Sequence, residues 1–247
     1  MKDSSILKKT ITCLIAALTT IALLLVLGNS GTLTWFPPFL VFTFVGFCFV
    51  AALIYPFVWQ YLERKQKANS YKSYSFLNTL IIYTIAFNLA SFGWKKIFGL
   101  QFVVPLSIAD KPMNQQTGEW LTWFYFGYSH SFGLILALIQ IVGSYLLLFR
   151  KTLLIASFTL LAFMLNLTLI NFFYQMNAGA LTQSVLLTIG LIYLILSDYQ
   201  RLKNFFFKSL PNIPALTIKS TLAKNLLRLS AIVLSLLFTL YLKSLIS

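Results

Sequence analysis

Long apolar blocks alternate with short polar connections along this chain. We predict seven helices from these blocks, near residues 11–29, 36–61, 76–94, 131–149, 152–173, 182–198 and 228–246. A helix rises about 1.5 Å per residue, so roughly 20 residues cross the hydrocarbon core of a bilayer. The pattern therefore predicts an all-α membrane protein with seven transmembrane helices.

The composition agrees with this prediction. Hydrophobic residues make up 59% of the 247 residues and charged residues only 10%, whereas a soluble domain carries about 25% charged residues. Lys and Arg number 19 against 5 Asp and Glu, a balance that nucleic-acid-binding proteins also show. Here the cations lie in short connections between apolar blocks, so we expect no nucleic-acid binding.

The placement of the cations predicts the orientation of the helices. With the N-terminus in the cytoplasm, the cytoplasmic connections contain all but four of the 19 Lys and Arg residues. The four on the outer side are Lys95, Lys96, Lys111 and Lys243. Because cytoplasmic connections are enriched in cations, we predict that the N-terminus lies inside and the C-terminus outside.

The connections also suggest a division of the chain. Residues 1–75 are predicted as a two-span leader that ends in a basic hinge at 62–75, residues 76–200 as a four-helix bundle, and residues 201–247 as an interfacial segment with the last span. The first block is longer than the roughly 7–15 apolar residues of a signal peptide and precedes no A-x-A site, so we expect a retained span. Cations and Phe mixed over 201–208 favour a short helix on the membrane surface.

Groups that usually carry catalysis are scarce. The single His, His130, cannot supply both ligands of a bis-histidine haem, and no metal-ligand cluster occurs in the sequence. Cys13 and Cys48 lie in separate predicted spans and form no C-x-x-C pair. Ser129 is adjacent to His130, but sequence neighbours do not face each other on a helix, so we expect Ser129 to cap the fourth span. We expect no metal and no cofactor, apart from a bound quinone or lipid, and we favour a non-enzymatic protein.

Amide side chains are the main polar groups inside the predicted spans. They are Asn78 and Asn88 in the third span, Gln140 in the fourth, and Asn166 and Asn171 in the fifth. An amide in hydrocarbon must find a hydrogen-bond partner. One interpretation is bonding between helices, at about 1 kcal/mol per bond. The other is a polar pocket of Asn88, Gln140 and Asn166 for a neutral head group or a quinone-like ligand.

The longest outer connection is the segment 95–130, which carries three Lys, two acidic residues, two Trp and His130. Connections of this length are usually functional or mobile. It is either a surface for a protein partner or a re-entrant interfacial stretch with a solvated turn at 109–118.

Five short stretches follow one another in an informative order and spacing. They are Lys96-Ile-Phe-Gly-Leu-Gln-Phe102, Trp123-Phe-Tyr-Phe-Gly-Tyr-Ser129, Leu146-Leu-Leu-Phe-Arg-Lys-Thr152, Asn171-Phe-Phe-Tyr174 and Asp198-Tyr-Gln-Arg-Leu202. Together they cover residues 76–207 and resemble a branch of the DoxX-like family of bacterial four-helix membrane proteins. The resemblance implies that spans three to six form a DoxX-like bundle in the bacterial inner membrane, and it adds Lys96, Gln101 and Trp123 to the candidate residues.

The chain also departs from the family pattern. That pattern has Glu at the place of Gln140 and a Y-D-x-P-x-K run at the place of Tyr174-Gln-Met-Asn-Ala-Gly179, so Gln140 and Gln175 replace carboxylates. Some family members are linked to a thiosulfate–quinone oxidoreductase or to other redox proteins, which implies a redox association. The missing carboxylates favour a binding or structural role instead.

We therefore expect a non-enzymatic accessory or partner-binding subunit that contacts membrane lipids and binds a protein partner through residues 95–130. The alternatives are a quinone- or lipid-associated redox subunit, a small-molecule or lipid transporter, and a toxin-immunity protein. The candidate ligand or partner residues are Asn88, Gln140, Asn166, Asn171, Lys96, Gln101, Trp123 and His130.

Overall fold

The computed structural model describes residues 5–29, 33–204, 208 and 220–246, and within them the chain is helical with short turns. The helices are α1 (Ile6–Gly28), α2 (Pro38–Arg64), α3 (Ser70–Ile97), α4 (Leu106–Ala109), α5 (Gly118–Tyr128), α6 (His130–Leu147), α7 (Leu153–Phe173), α8 (Ala178–Ser197), α9 (Tyr199–Lys203) and α10 (Thr221–Ile246), with a 3-10 turn at Met113–Gln115. In the described ranges α1–α3, α6–α8 and α10 are long and apolar enough to cross a membrane. The prediction of seven such helices is confirmed.

Capping residues explain why two helices begin before their apolar blocks. The Ser5 side chain accepts a hydrogen bond from the Lys8 N–H, so α1 begins at residue 6 rather than 11. The Asn69 side chain accepts N–H groups from the first turn of α3, which begins at residue 70 rather than 76. Hydropathy marks the part of a helix that suits hydrocarbon, whereas a cap marks where the backbone becomes helical. The predicted basic hinge at 62–75 is therefore wrong, since the connection between α2 and α3 covers only 65–69.

Five helices form a closed ring, and α2 lies outside it. Around the ring α1 packs on α3, α3 on α6, α6 on α7, α7 on α8, and α8 on α1, while α2 packs on α1. Among α1–α3 and α6–α8, consecutive helices run in opposite directions. The start of α1 therefore lies with the end of α2 at one end of the ring, which we call the Lys9 end. The end of α3 and the start of α8 lie at the other, which we call the Trp123 end.

The ring changes the division of the chain. Because α1 closes the ring between α3 and α8, the contacts do not separate residues 1–75 from 76–200, and the ring contains one helix more than the predicted four. The contacts divide the chain into two units, Met1–Leu202 and Lys203–Ser247. In the second unit, α10 is the last long helix. The predicted surface helix at 201–208 is described only in part, because 205–207 lie outside the described residues.

Glycines lie where the ring helices approach closely. A Cβ added to Gly190 of α8 would lie 2.8 Å from both Thr19 of α1 and Ile85 of α3. One added to Gly143 of α6 would lie 2.8 Å from Leu160 of α7. Small residues let helix backbones approach closely. Such close packing stabilises helix association in a bilayer, where the hydrophobic effect does not drive it.

Polar side chains join three helices at the Lys9 end. Lys9 of α1 is fully buried, forms an ion pair with Glu63 of α2 and also donates to Gln60. Ser70, the first residue of α3, donates to Glu63 and accepts a hydrogen bond from Trp59 Nε1 at 3.0 Å. We call these five residues the Lys9 cluster. It satisfies a buried charge and holds α1, α2 and α3 in register.

Candidate functional site

A cavity of about 530 Å³ lies at the Trp123 end of the ring. The ends of α1, α3 and α7 and the starts of α2 and α8 line it, together with residues of α5 and α6. Its volume falls within the roughly 300–1,000 Å³ of small-molecule sites. Much of the lining is apolar and includes Leu25, Val26, Phe42, Met164, Leu167 and Leu187.

Lys96 and Gln140 form a polar wall of this cavity. The sequence predicted Lys96 in an outer connection, but α3 continues to Ile97 and Lys96 belongs to its last turn. Side chains on a helix tilt toward its N-terminus, so the Lys96 side chain runs back along α3. Its Nζ donates to Gln140 Oε1 at 2.7 Å and to the Phe92 carbonyl oxygen at 3.3 Å.

Gly93 explains how Lys96 reaches a residue of the facing helix. Gly93 lies one turn before Lys96, and a Cβ there would be 2.6 Å from Ile141 Cγ1 and 3.0 Å from the Ala137 carbonyl oxygen. Both neighbours belong to α6, on either side of Gln140. The missing side chain therefore lets α3 and α6 approach until Lys96 and Gln140 are within hydrogen-bond distance.

Gln140 keeps an unpartnered donor. An ammonium group only donates, so the oxygen of the Gln140 amide faces Lys96 and the Nε2 group faces elsewhere. Gln140 is fully buried, and its Nε2 has no hydrogen-bond partner. Nearly all buried polar groups in native proteins are satisfied, and an orphan costs about 1–3 kcal/mol. Gln140 is thus a donor that a ligand can use.

Trp123 supplies a second unpartnered donor, and the Phe102 ring lies near both Trp123 and the Lys96 ammonium. Trp123 Nε1 is buried without a hydrogen-bond partner. The Phe102 ring lies 6.2 Å from the Trp123 ring, and Lys96 Nζ lies 5.7 Å from the Phe102 ring centroid. Phe102 has a φ of 65°, which is costly for a bulky residue. Its stacking on Phe126, at 5.2 Å between centroids, helps to hold it there.

The start of α8 completes the cavity beside α5. Asn177 caps α8 by accepting the Ala180 N–H at 3.0 Å, and its Nδ2 donates to Glu119 of α5 at 3.3 Å. Asn171 of α7 donates to the Ala180 carbonyl oxygen at 3.1 Å. These bonds fix the first turn of α8 against α5 and α7.

The structure brings many of the predicted candidate residues together. Lys96, Gln101, Trp123, Gln140 and Asn171 all line the cavity. Asn88 is fully buried one turn after Thr84, to whose carbonyl oxygen it donates at 2.9 Å, but it is not in the lining. His130 is exposed at the start of α6, where Ser129 caps the helix by accepting the Phe132 N–H as predicted.

The predicted pocket of Asn88, Gln140 and Asn166 is wrong in its membership. Asn166 is exposed on α7. The buried face of that helix carries Leu160, Met164 and Asn171. Residues four and seven positions apart share a helix face, whereas Asn166 lies two positions from Met164 and faces the other way.

Another amide, Asn78, bonds between helices, as the first interpretation expected. Asn78 Oδ1 of α3 accepts a hydrogen bond from the Tyr193 hydroxyl of α8 at 3.1 Å. That hydroxyl also lies 2.9 Å from the Thr12 hydroxyl of α1. The three groups join α1, α3 and α8 on the Lys9 side of the ring.

The described residues contain no group of three or more His, Cys, Asp or Glu that could hold a metal ion. Cys13 is buried and Cys48 half-buried, and both thiols are free.

Sequence reasoning missed the part of the wall formed by Asn177, Met176, the end of α1 and the start of α2. The spacing of Leu160, Met164, Leu167 and Asn171 could have identified the α7 face, and Asn177 is recognisable as a helix cap. The contribution of α1 and α2 depends on ring closure, for which hydropathy carries no signal. No protein-family model matches the chain, and no curated protein or solved structure matches it.

Proposed function

We propose that this protein is a non-enzymatic membrane protein that binds one amphipathic molecule of the lipid or quinone class in the cavity. The single observation that carries this proposal is Gln140: the residue lines the cavity and is fully buried, and its Nε2 group has no hydrogen-bond partner. A ligand oxygen would satisfy it. Water alone is a poorer occupant, because much of the cavity wall is apolar.

The two parts of the cavity suit the two parts of an amphiphile. Lys96, Gln140 and Trp123 offer hydrogen-bond donors to an oxygen-bearing head, while Leu25, Leu167 and other apolar side chains surround the remaining volume. Small-molecule sites typically combine an apolar lining with a few placed polar groups.

The orientation of the protein in the membrane, the type of membrane and its role as an accessory subunit are parts of the same proposal. The cation distribution supports a cytoplasmic N-terminus, which would open the cavity toward the outer side of the membrane. The short motifs support a DoxX-like relationship and hence a bacterial inner membrane. The role of an accessory subunit, which delivers or holds a ligand for a redox partner, fits a chain with one His and two separated Cys.

A protein partner at residues 95–130 is the second candidate. Apolar side chains in this segment are strongly exposed, among them Leu106 at 79% and Tyr128 at 93%. Exposed apolar patches mark either partner surfaces or membrane contact. Both readings are compatible with a ligand in the cavity.

The test is to purify the protein in mild detergent, extract it with organic solvent and quantify bound small molecules by mass spectrometry. Wild type should carry about one specific molecule per chain. Leu167→Trp, which fills the cavity from α7, should lower its occupancy about tenfold. Leu169→Trp is the matched control, because Leu169 is 55% exposed on the same helix and does not line the cavity.

Equal occupancy in wild type and Leu167→Trp would place the molecule outside the cavity and contradict the proposal. A stoichiometric co-purifying protein, with no specific small molecule, would favour the second candidate instead.

A further inference from the structure

We propose that the head group of the ligand is an anion, a carboxylate or a phosphate, held by Lys96 with Gln140 and Trp123. This inference rests on the proposed function and specifies its ligand class. Four observations support it: the missing counter-charge of Lys96, the charged residues of the cavity lining, the position of the start of α8, and the unpartnered donors of the cavity.

The charge of Lys96 has no counter-charge in the described part of the chain. The ion pairs found there are Lys9–Glu63 and Arg201–Asp198, and Lys96 belongs to neither. Its hydrogen-bond acceptors are the neutral Gln140 amide and the Phe92 carbonyl. A desolvated charge that faces only neutral groups is unfavourable unless an opposite charge joins it.

The cavity lining has a single sign of charge. It contains Lys95 and Lys96 but no Asp or Glu. The Lys95 ammonium donates to the Asn29 amide oxygen at 2.9 Å, which is again a neutral acceptor. A site with this charge attracts anions and disfavours cations.

The first turn of α8 adds to this charge in part, because the Glu119 carboxylate of α5 already accepts a hydrogen bond from its cap residue Asn177 at 3.3 Å. Asn177, Gly179 and Ala180 line the cavity at the start of a helix of 20 residues. The N-terminus of a helix carries about half a positive charge and free N–H groups, so it favours negatively charged ligands. This feature gains its weight from the unpartnered Gln140 amide, which is fully buried in the same cavity.

The buried side-chain atoms of the cavity residues that lack a hydrogen-bond partner are both donors. Gln140 Nε2 and Trp123 Nε1 have no partners, and the Lys96 ammonium has three N–H groups for two acceptors. The unpartnered buried acceptors in the described residues include Asn88 Oδ1 and Gln116 Oε1, and neither residue lines the cavity. Anionic oxygens accept several hydrogen bonds at once and bind charged donors more strongly than a neutral carbonyl does.

The experiment compares head groups on one tail in phosphatidylcholine nanodiscs. The probes are dodecanoate, dodecyl phosphate and dodecanol. Each affinity is expressed as the mole fraction of the probe in the bilayer, so that differences in partitioning from water into the bilayer do not affect the comparison. Wild type should bind at least one of the two anions about tenfold or more tightly than the alcohol. Acetate and inorganic phosphate, which lack the tail, should bind far more weakly than the tailed anions.

Two variants remove the free charge by different routes. Lys96→Met deletes it, and Gln140→Glu supplies a carboxylate at the position that now accepts from Lys96 Nζ. Both should reduce the preference for the anions over dodecanol to about onefold. Lys72→Met is the matched control, since Lys72 is exposed near the start of α3 and outside the cavity, and it should keep the full preference.

The possible outcomes separate the two proposals. Equal binding of all three tailed probes by wild type would overturn the anionic head group and leave the proposed function standing. A preference that persists in both variants would overturn the role of Lys96. Equal binding of acetate or inorganic phosphate and the tailed anions would overturn the amphiphile. Binding of no probe above the level of Leu167→Trp would overturn the proposed function and this inference with it. If Lys96→Met does not fold, Gln140→Glu decides.

Discussion

Gln140 is a single residue that both joins two helices and leaves a group unsatisfied. Its oxygen accepts from Lys96 across the α3–α6 contact, while its nitrogen has no partner. The sequence predicted Gln140 as a polar residue within a span, because the apolar block around it is unambiguous. It could not predict Lys96 as the partner, since the distance depends on how closely Gly93 lets the two helices approach.

Two substitutions at Gln140 should differ in their effects on stability. Gln140→Leu removes the acceptor of Lys96 Nζ and should lower the free energy of unfolding by about 1–2 kcal/mol. Gln140→Glu keeps an acceptor oxygen and adds a counter-charge, so it should be tolerated or stabilising. Thermal melts of the two variants and wild type in the same detergent provide the measurement.

The order of these two variants is decisive. A Gln140→Leu protein that melts above Gln140→Glu would mean that residue 140 faces lipid rather than Lys96. The polar wall of the cavity would then not exist as described.

At the scale of helices, the sequence predicted which segments are long enough to span a membrane, but it did not predict which helices pack against each other. The apolar blocks located all seven long helices because crossing hydrocarbon requires a minimum length. The ring around Gly190, where α8 touches both α1 and α3, depends on the shapes of facing surfaces. The Lys9 cluster was missed for a related reason: Glu63 and Lys9 lie at the ends of different spans and look like ordinary boundary charges in the sequence.

The Lys9 cluster should contribute strongly to stability. Glu63→Gln leaves the fully buried Lys9 ammonium without a counter-charge, and loss of one partner of a buried ion pair costs about 3–5 kcal/mol. The control is Asp198→Asn, which breaks a pair whose side chains are 57% and 41% exposed and should cost less than about 1 kcal/mol. Chemical unfolding in detergent, monitored by circular dichroism, measures both.

A double variant strengthens this test. Lys9→Met with Glu63→Leu removes both charges and should recover much of the lost stability, because no buried charge remains. If Glu63→Gln and Asp198→Asn were equally mild, the Lys9 cluster would not be the joint between α1, α2 and α3.

At the scale of the whole molecule, orientation rests on charge distribution. Reporter fusions after residues 68, 151 and 212 should report a cytoplasmic location, and fusions near 32, 115, 178 and 247 an external one. Lys95 and Lys96 count least toward this predicted orientation, because they lie in the last turn of α3 rather than in a connection. An external signal at 212 would contradict the arrangement of seven spans.

The Lys9–Glu63 pair also bears on the order in which the protein is made. Helices leave the ribosome one after another, N-terminal first, and a buried Lys without a counter-charge is costly. Glu63 follows Lys9 by 54 residues, so Lys9 gains its counter-charge as soon as α2 is synthesised. The Tyr193 hydroxyl that meets Thr12 comes 181 residues after it. The α1–α2 hairpin can therefore form its ion pair, which neutralises the Lys9 charge, before α8 is synthesised and closes the ring.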